Sequence, residues 1–127
     1  MPPIRLLLVD DDADFLTLAC RDLREIAAIE LVGIARDGEQ ALEAVERLRP
    51  DMVLMDIDMP RMNGVVATRR IKARPDAPKV VVESLVDSST AHEMATVAGA
   101  DAYVFKGDFA RQLRAAIATL FPEASSG

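Results

Sequence analysis

The chain has 127 residues, of which 50% are hydrophobic and 28% charged, with a formal net charge of −6. This length suits one domain with its own core. The excess of acidic residues disfavours contact with the phosphates of nucleic acids. No apolar run approaches the roughly 20 residues of a membrane helix, and the opening segment lacks the length of a secretory signal. Cys20 has no partner for an intrachain disulfide, so we expect a cytoplasmic domain that binds neither nucleic acid nor membrane.

Five short apolar runs predict strands, and stretches with helical spacing separate them. The predicted strands are Ile4–Val9, Leu31–Ala35, Met52–Asp56, Lys79–Ser84 and Ala102–Phe105. Strict alternation of strands and helices indicates an α/β fold with a parallel sheet, right-handed crossovers and helices on both faces. Among doubly wound arrangements, five strands suit the flavodoxin-like order 2-1-3-4-5.

Five helices are predicted between and after these strands. In chain order they are Ala13–Ile26, a helix from Asp37 that stops at Pro50, one from about Asn63 to Arg74, one that closes at Gly99, and one from Asp108 that ends before Pro122. Asp37 and Gln40 have the spacing of a capping pair for the second helix. Thr90 and Glu93 have the same spacing in the fourth. Residues 1–121 are expected to form the domain, and residues 122–127 a tail or the start of a linker.

Three of the predicted strands end in, or are directly followed by, charged residues. The first is followed by Asp10 and Asp11, the third ends at Asp56, and the fifth is followed by Lys106. Because the carboxyl ends of parallel strands line one crevice, we expect these groups to converge there. Carboxylates this close repel one another unless a cation or protons intervene. Mg²⁺ fits, since it prefers a few carboxylates together with waters and phosphate oxygens.

A carboxylate held beside Mg²⁺ can attack phosphorus and form an aspartyl phosphate. Lys106 would then neutralise the phosphoryl oxygens as a point charge, and Ser84 places a hydroxyl at the same edge. Together these groups predict a phosphoryl-acceptor pocket that works by positioning and charge neutralisation. Plainer roles remain open: the first acids suit the start of a helix, with Asp12 as its cap, and Ser84 suits an ordinary strand end. His92 is expected on an exposed helix face with no functional partner.

In this order, the motifs resemble the receiver domain of bacterial two-component response regulators, from Ile4 to about Phe121. The matching segments are 7–11 for the acidic pair, 51–60 with 62–64 for the phosphoacceptor strand and its loop, Ser84 for the switch hydroxyl, and 99–106 for the switch aromatic and the lysine. The resemblance implies that Asp56 accepts a phosphoryl group from the phosphohistidine of a histidine kinase or phosphotransfer protein. It also implies that Asp10 and Asp11, with Asp56 and the backbone carbonyl of Asp58, hold Mg²⁺.

The resemblance further implies a switch. Lys106 would bind one phosphoryl oxygen, Ser84 would swing toward another, and Tyr103 would rotate inward. The face made by helix four, strand five and helix five would change and meet a downstream protein or a fused output domain. The same face is a candidate for a homodimer. No DNA-binding motif follows Phe121, so we expect a separate receiver or the first part of a larger regulator, whose only catalysis is its own phosphorylation and dephosphorylation.

Three residues depart from the family pattern. Glu83 stands where an apolar residue is usual, and a charge inside a strand needs exposure or a cationic partner. Leu85 replaces a small residue after Ser84, which predicts hindered entry of phosphodonor and water. Gly107 replaces a proline that often follows the lysine, which disfavours a cis peptide there.

Two other functions compete with this interpretation. A degenerate receiver would act only as a protein-binding module, and Glu83 and Leu85 keep that alternative open. Asp56 and Asp58 also form the Asp-x-Asp pattern of haloacid-dehalogenase-type phosphatases, which use an aspartyl nucleophile and Mg²⁺. That family places the motif on its first strand, whereas here it lies on the third of five.

Overall fold

The structure, a computed structural model, describes residues 2–59 and 63–125. Expectations that rest on Pro60 and Met62 of the phosphoacceptor loop lie outside the described residues. The elements are β1 (Ile4–Val9), α1 (Ala13–Arg24), β2 (Ile29–Ala35), α2 (Gly38–Leu48), β3 (Met52–Asp56), α3 (Gly64–Lys72), β4 (Lys79–Ser84), α4 (Ser89–Ala98), β5 (Ala102–Phe105), a 3-10 turn (Lys106–Asp108), α5 (Phe109–Leu120) and α6 (Pro122–Ser125).

The five strands form one parallel sheet in the order β2-β1-β3-β4-β5, which confirms the predicted topology. Helices cover both faces. One core cluster joins the sheet to α1 and α5, and the other joins it to α2, α3 and α4. The strands β1, β3 and β4 are buried on both faces, which explains their nearly continuous apolar sequences.

Alternation along the strands sets which charged residues share a face. Apolar side chains cover the sheet on the α1/α5 side, among them Leu8, Leu54, Val81 and Val104. Side chains two positions apart in a strand point to the same face. The residues two positions further on are Asp10, Asp56, Glu83 and Lys106, which therefore share this face and are here called the charged row. Glu83 pairs with Asp56 on one side and with Val104 on the other, so Lys106 lies one step beyond Glu83.

Helix boundaries differ from the predictions at α4. The cap is Ser88, whose hydroxyl accepts from the N–H of Ala91 at 3.1 Å, and the proposed pair of Thr90 and Glu93 is wrong. A cap residue must have non-helical backbone angles; Ser88 is extended, with φ −134° and ψ 159°, while Thr90 already lies inside the helix. Gly99 closes α4 at φ 90°, in the left-handed region that favours glycine.

The other boundaries shift by small amounts. Strand β2 begins at Ile29, two positions before its predicted start at Leu31, and α1 ends at Arg24 instead of Ile26. Asp37 caps α2 as predicted, since its carboxylate accepts from the N–H of Gln40 at 2.8 Å. Gln40 in turn accepts from the N–H of Arg36 at 2.9 Å, one residue before the cap.

A short helix follows α5 where the sequence predicts a tail or linker. It spans Pro122–Ser125, and Phe121 and Ala124 pack against the core cluster on the α1/α5 side. The fold thus adds one short helix and a 3-10 turn to the five predicted helices. Within the described residues, no helix is both long enough and apolar enough to cross a membrane.

Candidate functional site

The charged row lies at the carboxyl ends of the strands and is almost closed to solvent. Asp10 and Glu83 are fully buried, Asp56 is 2% exposed and Lys106 is 6% exposed. The ammonium Nζ of Lys106 lies 2.6 Å from Oδ2 of Asp10 and 3.5 Å from Oδ2 of Asp56. The row therefore places three carboxyl groups around a single buried ammonium group.

Lys106 is held from two sides. Its ammonium group sits 4.4 Å from the ring centroid of Phe15, on α1, in a cation–π arrangement. Burial alone lowers the pKa of Lys106, but the hydrogen bond to Asp10 and the charges of Asp56, Glu83 and Asp10 outweigh it, and the net pKa is raised. Lys106 is therefore a permanent cation at neutral pH.

Asp56 is the most central of the carboxylates. Its Oδ1 accepts from the backbone N–H of Asp58 at 2.9 Å, which orients the carboxylate at the end of β3. Burial raises the pKa of Asp56 to about 6, against the hydrogen bond from Asp58 and the charge of Lys106, while the charges of Asp10 and Asp58 raise it further. Most Asp56 side chains are thus ionised at neutral pH, and the ionised form is kept in a poorly solvated position.

Glu83 is the residue whose surroundings the sequence does not reveal. It pairs with Asp56 across β3 and β4; no N–H or hydroxyl group donates to its carboxyl oxygens, and the one side chain within hydrogen-bonding reach is another acid, Asp10. Burial raises the pKa of Glu83 well above its usual value, and the charge of Lys106 only partly offsets this effect. The alternation from Val81 predicts the face that Glu83 occupies, but complete burial follows from how closely the helices cover that face.

Three carboxylates form a cluster suited to a cation. Oxygens of Asp10, Asp11 and Asp56 all lie within 4.8 Å of one another, and Asp11 is exposed while the other two are buried. Hard oxygen donors with one open side fit Mg²⁺, which keeps several waters. Asp12 caps α1 by accepting from the N–H of Asp14 at 3.0 Å, as the sequence indicates.

A chain of hydrogen bonds leads from this cluster toward α4. The hydroxyl of Ser84 donates to Oδ2 of Asp58 at 3.0 Å and accepts from the N–H of Val86 at 3.1 Å. The hydroxyl of Tyr103 donates to the carbonyl oxygen of Val86 and lies within hydrogen-bonding reach of Ser84. The two residues expected to act as a switch are therefore connected through the β4–α4 loop.

Gly64 keeps the end of β3 in place. It is buried at the first position of α3, and a Cβ there would overlap the backbone carbonyl oxygen of Asp56 and lie 2.7 Å from the Cα of Ile57. Only a residue without a side chain lets α3 begin so close to the backbone that carries Asp56. Asn63 caps the helix from the preceding position by accepting from the N–H of Val66 at 3.0 Å.

We expect Gly64→Ala to lower the free energy of unfolding by about 1–3 kcal/mol, because the new methyl group meets backbone that cannot rotate away. Urea denaturation measures this loss. Gly33→Ala is the control, since a Cβ at Gly33 meets only the side-chain ends of Leu48 and Leu7, and its loss is expected to be less than half as large. Equal losses in the two variants would show that the backbone contact is not the reason for Gly64.

Known proteins resemble this chain in sequence and in fold. The model of the "Response regulator receiver domain" family matches residues 6–118. A "Protein-glutamate methylesterase/protein-glutamine glutaminase 4" from Myxococcus xanthus is 44% identical over 105 residues, which are 82% of this chain and 30% of that protein. The chain therefore spans less than a third of the length of that relative.

Solved structures agree on the architecture. The response regulator domain of Thermotoga maritima CheB has a TM-score of 0.78 and 26% identity, with 98% of each chain covered. The signal receiver domain of the putative response regulator NarL from Mycobacterium tuberculosis has a TM-score of 0.84 at 24% identity, with both chains covered completely, and shows the fold alone. From the family match over most of its length, the chain belongs to the response regulator receiver domain family and is a regulatory module of two-component systems.

Proposed function

We propose that Asp56 is the phosphoacceptor of this receiver domain. The observation that carries the proposal is the environment of its carboxylate, which lies 3.5 Å from the ammonium of Lys106 and within 4.8 Å of oxygens of Asp10 and Asp11. Asp10 has the same neighbours but is already in close contact with Lys106, at 2.6 Å, whereas Asp56 ends β3, at the position of the phosphoacceptor in the family motif. The alternative of a phosphatase gains no support, since Asp56 and Asp58 lie on and after the third strand.

The acids of the cluster would hold Mg²⁺. Asp10, Asp11 and Asp56 supply carboxylate oxygens, and the backbone carbonyl of Asp58 is proposed as a further ligand. When bound, Mg²⁺ neutralises these carboxylates and the charge of an incoming phosphoryl group. Asp11, being exposed, marks the open side through which phosphodonor and water would reach the cluster.

The chain's own residues then carry the transfer. A carboxylate oxygen of Asp56 forms a bond to phosphorus while the P–N bond of a phosphohistidine breaks and its electron pair returns to the imidazole. Lys106 would exchange its close contact with Asp10 for a phosphoryl oxygen, and bound Mg²⁺ would supply positive charge for Asp10 in its place. Ser84 exchanges its bond to Asp58 for another phosphoryl oxygen, which frees the β4–α4 loop to move.

The partners follow from the same assignment. A histidine kinase or phosphotransfer protein supplies the phosphoryl group, and the face of α4, β5 and α5 meets a downstream protein, a fused output domain or a second copy of the chain. Large apolar side chains are exposed on α4 and the loop before it, namely Leu85, Val86, Met94 and Val97. The methylesterase relatives make an output of that class a candidate, and the cytoplasm is the proposed location.

Incubation with acetyl phosphate and Mg²⁺, followed by intact-mass measurement, tests the proposal. We expect a single phosphate adduct in the wild-type protein and none in Asp56→Asn. Asp14→Asn, at an exposed position in the first turn of α1, is the control and should retain the adduct. An adduct on Asp56→Asn would place the phosphoacceptor elsewhere. A folded wild-type protein without an adduct would support the degenerate binding module, and turnover of a small phosphoester would support a phosphatase.

Leu85→Ala is expected to raise the rates of phosphorylation and of phosphoryl hydrolysis together, by about three- to tenfold, or roughly 0.7–1.4 kcal/mol of barrier. Leu85 directly follows Ser84 and is 62% exposed, so its side chain is expected to obstruct the entry of phosphodonor and water. Adduct formation and decay followed by mass provide both rates. Val97→Ala, which removes a similarly exposed apolar side chain from α4, should leave them unchanged, and unchanged rates in Leu85→Ala would contradict the expectation.

A further inference from the structure

His92 of α4 is exposed, as the sequence predicts, and it has two close partners that the sequence does not predict. Its ring is stacked on that of Tyr103, with centroids 3.9 Å apart and planes inclined by 34°. Its Nε2 lies 2.9 Å from Oδ1 of Asp87, in the loop between β4 and α4. The side chain is 52% exposed, so neither contact is forced by burial.

The hydroxyl end of Tyr103 is bound by the same loop. Its hydroxyl donates to the carbonyl oxygen of Val86, and partial burial raises its pKa, so the hydroxyl remains a donor at neutral pH. The N–H of Val86 donates to Ser84. The aromatic ring is thus enclosed between His92 on α4 and a loop whose position depends on the hydroxyl of Ser84.

We infer that His92 is a positioning residue that latches Tyr103 against the β4–α4 loop, so that the ring cannot move unless the stack with His92 opens. The inference rests on the proposed function, because it assigns to His92 control over how a change at Ser84 reaches α4. Asp87 fixes the imidazole by accepting from Nε2, in either the neutral or the protonated form of the ring.

The stack of His92 on Tyr103 affects how far Tyr103 moves when the switch changes state. If Ser84 leaves Asp58 for a phosphoryl oxygen, the loop at Val86 shifts and the hydroxyl of Tyr103 must follow it or break away. The stack with His92 opposes either movement, and a ligand or modification shifts a two-state equilibrium only by its differential contacts with the two states. Without the ring of His92, Tyr103 is already partly unstacked before Ser84 changes its partner. A change at Ser84 therefore alters the position of Tyr103 less than it does in the wild-type protein.

The intrinsic fluorescence of the chain can test this inference, since the chain has one tyrosine and no tryptophan. Tyrosine fluorescence therefore reports Tyr103 alone, and acrylamide quenching measures how accessible its ring is. In protein without Mg²⁺ or phosphodonor, His92→Ala is expected to raise the quenching constant by about twofold, because the loss of an aromatic contact favours the unstacked ring. His92→Phe, which keeps an aromatic ring, should restore the wild-type value. Met94→Ala, at an exposed position of the same helix, should not change it.

A second measurement adds acetyl phosphate and Mg²⁺. Phosphorylation is expected to change the quenching constant of the wild-type protein, and that change should be at least about twofold smaller in His92→Ala. The inference is overturned if His92→Ala leaves the quenching constant of the unphosphorylated protein unaltered, if His92→Phe behaves like His92→Ala, or if phosphorylation changes both proteins equally. A wild-type protein that takes no phosphoryl group contradicts the proposed function alone, because the first measurement needs none.

Discussion

Glu83→Val is expected to raise the free energy of unfolding by about 2–4 kcal/mol at pH 7. Valine has a similar volume and suits a strand, and it removes a fully buried carboxyl group that receives no hydrogen bond from an N–H or hydroxyl group and has only the acid Asp10 within hydrogen-bonding reach. In the wild-type protein, the folded state must either keep the proton on Glu83 or bury a second or third negative charge beside Asp10 and Asp56. The unfolded chain faces neither demand.

The gain should depend on pH in one direction. Because burial raises the pKa of Glu83 in the folded state, both states hold the proton below the unfolded pKa of about 4.3, and the ionisation of Glu83 does not affect stability there. Above that pH, the unfolded state loses the proton first. The wild-type protein then loses about 1.4 kcal/mol per pH unit relative to the variant until the folded group ionises. Asp56, with its pKa raised to about 6, lowers the stability of both proteins between about pH 4 and 6, and this shared loss cancels in the difference.

Urea denaturation of both proteins at several pH values between 4 and 8, in EDTA, measures the difference. Glu30→Val is the control, since Glu30 is an exposed residue of β2, and we expect it to change stability by less than about 0.5 kcal/mol at every pH. A variant at Glu83 that is less stable than the wild type, or whose advantage does not grow with pH, would show that the folded protein stabilises this carboxyl group.

Lys106→Met is expected to have the opposite effect and to lower the free energy of unfolding by about 3–5 kcal/mol at pH 7, because it leaves buried carboxylates without their cation. Methionine retains much of the length of the side chain and its contact with Phe15, so the loss reports chiefly the charge. Burial lowers the pKa of Lys106, but its acidic neighbours raise it above the usual value, and a raised lysine pKa contributes stability at every pH below about 10. The full contribution is therefore present at neutral pH.

The same denaturation experiment tests this prediction, with Lys79→Met as control. Lys79 is exposed at the start of β4, and its replacement should cause almost no change. Two conditions should rescue Lys106→Met: lower pH, which protonates Asp56 and Glu83, and added Mg²⁺, which supplies a cation to the cluster. A loss that neither condition reduces would indicate damaged packing instead of an unbalanced charge.

The predictions for Glu83→Val and Lys106→Met both follow from an excess of buried negative charge at the site. Three buried or nearly buried carboxyl groups, those of Asp10, Asp56 and Glu83, share one ammonium group. The protein therefore gives up stability to hold acids where a divalent cation and a phosphoryl group are proposed to bind. Stability–function conflicts of this kind are expected where local preferences are violated at a functional site.

Much of the site was predictable because the sheet has a simple geometry. Buried parallel strands have continuous apolar sequences, and the charges that follow Val9, Met55 and Phe105 must meet at one edge once the strands are parallel. The residue that caps α4 could not be predicted from the sequence pattern. Ser88 and Thr90 have the same capping chemistry, and only the backbone conformation decides that Ser88 lies outside the helix.

The partners within the site depend on distances that no linear pattern contains. The sequence predicts that Lys106 converges with Asp10, Asp11 and Asp56 but not which of them is nearest, and in the structure it is Asp10, at 2.6 Å. The contact between His92 and Tyr103 joins a helix to a strand, and neither periodicity nor spacing relates those two residues.

The sequence by itself determined the fold class, the order of the strands and the presence of an acidic cluster with one lysine, because strand period and burial are local properties of the chain. The tertiary structure alone decided that Glu83 is fully buried among other acids, that Lys106 is paired with Asp10, and that His92 covers Tyr103. These depend on how closely helices approach the sheet, and a difference of one or two ångströms there decides whether a carboxyl group is solvated, paired or left alone.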